Sequence, residues 1–346
     1  MAEQLTPEQL APDQLTPELV DGWRELVAGL GERGSFFLTP DWVLSWWETL
    51  GGRGPAEIAF WRGSDGAVEA VVPLVRTRLR LHPALPFTVG CRTALGAGPG
   101  AADHGGFAVR PERVAEVREW LAGLARRETL WFPDVDPLLG GLLPPGSRAV
   151  ARQSCPRADL SGGFDALGSR QFRADLRRYG RKLAAAGVTF RWVPPGEAPP
   201  GLLDTVVRLH RLRRDALGRG TTFDAGRLPL HARLLERARP DAGPAFLLAE
   251  HEGEVVGGLY GFLHGDTFAY YQIGWDPAWA PLRLGTAIIA EAVRACAERK
   301  LATFDFLRGT EPYKYRFDAA DREDLSWLVP HGLSGALLGL KHRLKG

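Results

Sequence analysis

Apolar residues along the chain alternate between two spacings, and the changes of spacing divide it. The opening residues repeat Gln-Leu-Thr-Pro-Glu and close variants of it. Proline at that density resists regular structure, so residues 1–15 read as a loose tail. Thr16-Pro17-Glu18 is a helix start: a hydroxyl to cap, a proline for the first turn, an acid for the dipole. Thr39-Pro40-Asp41 repeats the signal, ahead of Trp42, Val43, Trp46, Trp47 and Leu50 on one helical face. From residue 56 the period is that of strands, 56–61 and 67–75, joined by Gly63-Ser64-Asp65-Gly66. A Gly/Pro-rich loop at 96–106, an amphipathic helix at 111–127 and a strand at 129–132 follow. Residues 140–163 are rich in Gly, Pro and Ser and read as a junction.

The second half repeats the plan. Helices are predicted at 169–186 and 201–217, then a hairpin of 245–251 and 254–263 around Glu252-Gly253. Asp65-Gly66 falls on Glu252-Gly253 at an offset of 187 residues, a weak internal repeat of the kind a duplicated domain leaves. A strand at 267–273, a loop at 277–284, a long helix at 285–300 and a strand at 303–307 make a βαβ-like unit, so part of the sheet is parallel. The expected division is a tail (1–15), a first domain (16–160), a second domain (161–335) and a C-terminal tail (336–346).

Composition narrows the class. A chain of 346 residues with 45% hydrophobic and 24% charged residues suits two folded domains of ordinary size. It has no long apolar run for a membrane span and no basic-then-apolar leader, so a cytoplasmic protein is expected. Cys91, Cys155 and Cys296 are far apart, which argues against zinc and disulfides; no metal is expected. A net charge of +2 excludes wholesale nucleic-acid binding. Lysine is scarce beside arginine, with only Lys182, Lys300, Lys314, Lys341 and Lys345, a bias that fits a GC-rich bacterial genome. No Walker loop or dinucleotide fingerprint is present, and His82, His210, His231, His251, His264 and His342 show no metal spacing.

The stretch from Tyr270 to Phe317, ending in FDFLRGTEPYKYRF, resembles the GNAT superfamily, in the branch of CelD-like proteins and FemAB-type aminoacyl transferases. The basic segment SRQFRADLRRYGRKL, the early Phe36-Phe37 and Pro40-Asp41-Trp42, and Asp103-His104-Gly105-Gly106 are similar to that branch too. The resemblance covers about residues 35–330. It implies an α/β fold of two tandem GNAT-type domains, each a mixed, mostly antiparallel sheet flanked by helices, sharing a cleft. It also implies an N-acyltransferase whose co-substrate is acetyl-CoA or another acyl-CoA.

In GNAT folds the pantetheine arm pairs with a splayed strand, here placed at Gln272, Ile273 and Gly274, and the pyrophosphate sits at the next helix start. That start is Arg283, Leu284, Gly285, Thr286 and Ala287, although the usual first anchor of the donor loop falls on Leu282. Gly285 would admit the pyrophosphate to the backbone. Asp305, flanked by Phe304 and Phe306, is a base candidate because burial raises a carboxyl pKa, with a structural acceptor as the alternative. Lys314 looks like the C-terminal lysine of FemAB-type enzymes. Tyr271 or Tyr313 could protonate the leaving thiolate, with packed aromatics as the alternative; Trp42, Asp103, Arg308 and Tyr313 are candidates for the acceptor, with a core tryptophan and a turn-forming aspartate as the alternatives at Trp42 and Asp103. Arg170, Arg173, Arg177 and Arg181 line one helical face, which is either a solvated face or a contact for a nucleotide or tRNA.

The expected reaction is acyl transfer, acetyl first, to an amine on a small molecule or envelope precursor. Two alternatives stand beside it: aminoacyl-tRNA-dependent transfer to a cell-envelope precursor, and a non-catalytic exopolysaccharide-related accessory protein.

Overall fold

A computed structural model describes residues 7–51, 54–81, 86–98, 102–218, 220, 223 and 226–343. The chain forms two compact units, one of residues up to Gln153 together with those from Glu323 on, the other Ser154–Arg322.

In the first unit β1 (Glu8–Leu10) pairs antiparallel with β2 (Ala56–Arg62), matching Glu8 to Phe60 and Leu10 to Ile58. The segment expected to be a loose tail therefore contains an edge strand. Three residues need no amphipathic pattern when a neighbouring strand supplies their partners; residues 1–6 lie outside the described residues. Helix α1 (Pro17–Ala28) is capped by the Thr16 hydroxyl, which accepts from Leu19 N at 3.4 Å, and it buries Leu19, Trp23, Leu26 and Val27. Helix α2 (Pro40–Trp46) starts in the same way on Thr39 and runs on into a π-turn at Trp47–Gly51. Strand β2 pairs with β3 (Val68–Arg80), β3 with β4 (Thr88–Ala94) and with the short β5 (Ala108–Val109). Helix α3 (Val114–Ala125) leads to β6 (Leu130–Val135), parallel to β4 through Arg92 and Leu130. Val117 and Leu121 of α3 pack with Trp61, Val72, Leu74 and Phe132 in this unit's core.

The junction expected at 140–163 does contain the boundary between the units, at Gln153 and Ser154, but the chain there forms a long strand, β7 (Arg148–Asp159), whose partly exposed sequence carries no strand period. Helix α4 (Arg170–Ala185), β8 (Val188–Val193), α5 (Leu202–Ala216) and α6 (Leu228–Glu236) follow. Then come the hairpin β9 (Ala242–His251) and β10 (Glu254–His264), β11 (Thr267–Trp275), α7 (Leu284–Glu298), β12 (Thr303–Asp305) and the one-turn α8 (Pro312–Tyr315). The sheet order in the second unit is β7–β12–β11–β10–β9–β8. The β11–β12 pair is parallel and the other pairs in this sheet are antiparallel. The two hairpin glycines matched by the internal repeat, Gly66 and Gly253, both have φ +83°, a left-handed conformation that glycine adopts without strain. Ile288, Ala292 and Cys296 of α7 pack with Leu247, Leu259 and Phe268 of the sheet.

The chain then contributes β13 (Ala320–Val329), which pairs antiparallel with β6, and α9 (Gly332–Arg343) to the first unit. The expected domain ending at 335 and tail from 336 thus differ from the observed units. Pairing with a strand far back in the sequence leaves no local signal at a boundary. Among the described residues no helix is long and apolar enough to cross a membrane.

Candidate active site

Strand β11 organises the site in the second unit. It pairs with β12 only at Thr267, Phe268 and Ala269, and there the ladder between the two strands ends. On its other side it pairs with β10 to the end of the strand, with a bulge: Tyr260 faces Gln272 while Gly261 faces Tyr270, so Tyr271 is the extra residue. Asp276 N donates to Val256 O at 2.9 Å. By the alternation of an antiparallel ladder, this turns the main-chain groups of Ile273 away from β10, toward the edge where β12 has parted.

A cavity of about 300 Å³ lies along this segment. Tyr270, Ile273 and Trp275 of β11 form one wall, and Arg283, Leu284, Gly285 and Thr286 at the start of α7 form another. Arg283 caps α7 with φ +62°, so the free N–H groups of a 15-residue helix open beside the cavity. Arg213 of α5 and Arg316 also line it. Their guanidiniums lie over Trp275 at 4.2 Å and over Phe172 at 4.1 Å from the ring centroids, which fixes the cations against apolar walls. Tyr270 and Tyr313 share a hydroxyl hydrogen bond here; burial, then the Glu311 carboxylate, pushes the Tyr313 phenol up to about 12, and burial raises Tyr270 further. Both are neutral hydrogen-bonding groups at neutral pH.

Of the residues expected to hold the donor, Ile273, Arg283, Leu284, Gly285 and Thr286 line this cavity, whereas Gln272, Gly274 and Ala287 do not. Gly285 has a different reason from the expected one. A Cβ there would come within 2.6 Å of the Trp275 ring, so the glycine makes room for the indole. Gly274 accommodates α5, whose backbone N of His210 would lie 2.2 Å from a Cβ.

The three expected catalytic residues go elsewhere. Asp305 is fully buried; its Oδ2 is 2.6 Å from Arg157 Nε and its Oδ1 accepts from Leu307 N at 2.8 Å. Lys314 is 2% exposed, and its Nζ donates to Leu307 O, Arg308 O and Gly309 O at 3.0, 2.8 and 3.0 Å. The carboxylate and the ammonium thus clamp one turn, in which Leu307 has φ +54° and Gly309 φ +108°. Tyr271 packs among Phe223, His231, Tyr260 and Phe262, with ring centroids 5.2–6.5 Å away, and does not line the cavity.

Of the expected acceptor residues, Tyr313 lines the cavity, and Arg308 is half-buried in the clamped turn. Trp42 is fully buried in the first unit, edge-on to Phe37 at 4.8 Å, with Nε1 donating to Gly96 O at 3.1 Å. Asp103 is buried beside His104, whose main-chain N and Nδ1 reach the two Asp324 carboxylate oxygens at 2.6 and 2.7 Å.

The sequence reading missed Arg213, Tyr270, Trp275 and Arg316. For Tyr270 the signal was present in the adjacent Tyr270-Tyr271 pair, but the bulge shifts the alternation by one residue and exchanges their faces.

Residues 170–315 match the family described as an acetyltransferase (GNAT) domain. This part of the chain is a GNAT domain. The chain as a whole has a FemX-like fold, and with its GNAT domain it is a transferase. The structure is similar to FemX, with a TM-score of 0.67 at 13% identity over 97% of this chain and 100% of that one. It is also similar to the C-terminal domain of a putative lysylphosphatidylglycerol synthetase from Agrobacterium fabrum, with a TM-score of 0.60 at 13% identity over 94% and 95% of the two chains. A third similar structure, L-PGS from Bacillus licheniformis, has a TM-score of 0.52 at 15% identity over 89% and 96%. No curated protein sequence matches the chain significantly.

Proposed function

We propose that the GNAT domain transfers an acyl group, acetyl first, from an acyl-CoA thioester to an amine. The observation that carries this reading is the joining of three features at one cavity: the α7 N-terminus, the Arg213, Arg283 and Arg316 cations, and the parted edge of β11. Helix-end N–H groups and guanidiniums suit a pyrophosphate. A strand edge that has lost its neighbour offers the Ile273 N–H to an extended amide-bearing arm, the Ile273 carbonyl being held by His210. The apolar walls of Tyr270, Trp275 and Leu284 suit the methylenes of such an arm.

In this reading Arg283, Leu284 and Thr286 hold the diphosphate, Ile273 aligns the arm, and Tyr313 or Tyr270 donates to the sulfur as it leaves. Asp305 and Lys314 keep the neighbouring turn in shape. The acceptor, in a small molecule or an envelope precursor, supplies the nucleophile. Alignment of the two reactants carries most of the rate in such a transfer. Cytoplasmic acyl-CoA pools suit this chemistry, and no metal takes part in it.

Calorimetry with CoA and acetyl-CoA tests the reading. Micromolar binding is expected, lost in Gly285→Glu, which displaces Trp275, and weakened in Arg283→Glu. Absence of heat with either ligand refutes it.

One observation favours a second reading, transfer from an aminoacyl-tRNA: Arg170, Arg177, Arg178, Arg181 and Lys182 are exposed on α4. Tight tRNA retention with steep salt dependence would support that donor over CoA.

A further inference from the structure

We propose that His210 on α5 is the proton acceptor for the attacking amine in the transfer described above, an inference that rests on the acyl-CoA reading. The sequence offers His210 no partner; the structure gives it one. Its Nδ1 lies 3.0 Å from Ile273 O, on the edge of β11 where β12 has parted. A carbonyl oxygen only accepts, so Nδ1 carries the ring hydrogen and Nε2 carries the lone pair. The ring is 2% exposed, and its Nε2 has no hydrogen-bond partner among the described residues. A buried acceptor left in this state is suited to a group that arrives with the substrates.

The surroundings keep that lone pair in place. Gly274 lets the α5 backbone close on β11 beside His210, since a Cβ there would meet His210 N at 2.2 Å. Arg213, one turn further along α5, reaches the cavity that Ile273 also lines. His210 itself does not line that cavity; it stands directly behind Ile273, which does, so an arm that pairs with the Ile273 N–H would run beside the imidazole. Burial lowers its pKa most; the bond to Ile273 O opposes this, and the cations Arg213, Arg214 and Arg211 of its own helix add to the lowering. Phe223 meets it edge-on at 5.4 Å and also packs against the buried His231 of α6, and β11 approaches it at the Ile273 carbonyl and at Gly274. The imidazole is therefore held neutral, as a base must be.

In the step assigned to it, the neutral amine attacks the thioester carbon and forms the C–N bond. Nε2 takes the N–H proton, the C–S bond breaks, and the imidazolium returns the proton to the departing thiolate.

Bromoacetyl-CoA tests the placement without knowledge of the natural amine. If Nε2 faces the acyl carbon, it displaces bromide from the reagent, forming an N–C bond. Mass spectrometry then finds one adduct, on the peptide containing His210, and excess acetyl-CoA, which has no free thiol to consume the reagent, suppresses it. His210→Asn keeps an amide N–H where Nδ1 stood, so it binds CoA with unchanged affinity in the calorimeter yet gains no adduct. A CoA-protected adduct on another residue, or no adduct while CoA binds, overturns the assignment of His210 alone. Failure of the wild-type protein to bind CoA removes the donor reading itself, and this proposal with it.

Discussion

Replacing Lys314 with methionine separates a structural ammonium from a chemical one. Methionine keeps the length and much of the volume of the side chain but none of its donors. Three carbonyls lose a partner held at 2.8–3.0 Å, and the 3.0 Å ion pair with Glu311 disappears. Glu311 is exposed, so that pair contributes little. Arg308 and Gly309 are half-buried, and water can reach their oxygens; Leu307 is 4% exposed, and its oxygen cannot be resolvated so easily. One bond to a charged group is worth about 1.5–3 kcal/mol, and an orphaned buried acceptor costs roughly 1–3 kcal/mol. The turn also stores strain, because a non-glycine residue such as Leu307 at φ +54° costs about 1 kcal/mol or more unless its surroundings enforce it. The expected loss is therefore about 3–4 kcal/mol, a fall in melting temperature of roughly 6–16 °C for the transition of the second unit. Urea unfolding followed by tryptophan fluorescence, with thermal melts alongside, measures it. Lys314→Arg should recover only part of the loss, since a planar guanidinium cannot converge on three neighbouring carbonyls as an ammonium does. A Lys314→Met protein with wild-type midpoints but no transferase activity would refute the clamp and return Lys314 to the chemistry.

Gly274→Ala places a methyl group against the α5 backbone and should destabilise the second unit by about 3 kcal/mol or more, read from the urea midpoint. Arg283→Ala removes one charge-assisted contact, so CoA affinity in calorimetry should fall by roughly tenfold. His231 is buried with Nδ1 3.1 Å from Tyr260 Oη, and its pKa is lowered to about 3 by burial and then by Arg227. Its folded value lies below the unfolded 6.5, so the unfolded state binds the proton first as pH falls. The stabilisation is complete above about 6.5, declines toward pH 3, and amounts to on the order of 5 kcal/mol. Unfolding free energies measured across that window should show this slope, and His231→Leu should flatten it.

The legible parts of this chain were those with local causes. The Thr16 and Thr39 caps, the β2–β3 and β9–β10 hairpins with their left-handed glycines, and the α7 helix before β12 each follow from a few adjacent residues. Strands β7 and β13 do not: their sequences, RAVARQSCPRAD and ADREDLSWLV, are charged and only partly buried, and they are strands because β12 and β6 offer them edges. The candidate site divides along the same line. Arg283 to Thr286 could be placed because a helix start shows in sequence, whereas Tyr270 was exchanged for Tyr271 because a bulge does not. Asp305 stands out as a charge that is costly to bury and Lys314 by the resemblance, but neither signal says what meets the charge. In the fold the two charges meet one strained turn, Asp305 from Leu307 N and Lys314 from Leu307 O. His210 presents the converse case. Its sequence neighbours are arginines on a helix face and gave no reason to single it out, and only the approach of α5 to Gly274 brings its ring to the Ile273 carbonyl. A buried charge whose demands the fold has already met is a weak candidate for catalysis. A buried base with one nitrogen fixed and the other still to be met is a stronger one, which is why the proposed proton acceptor is sought on α5 and not on β12.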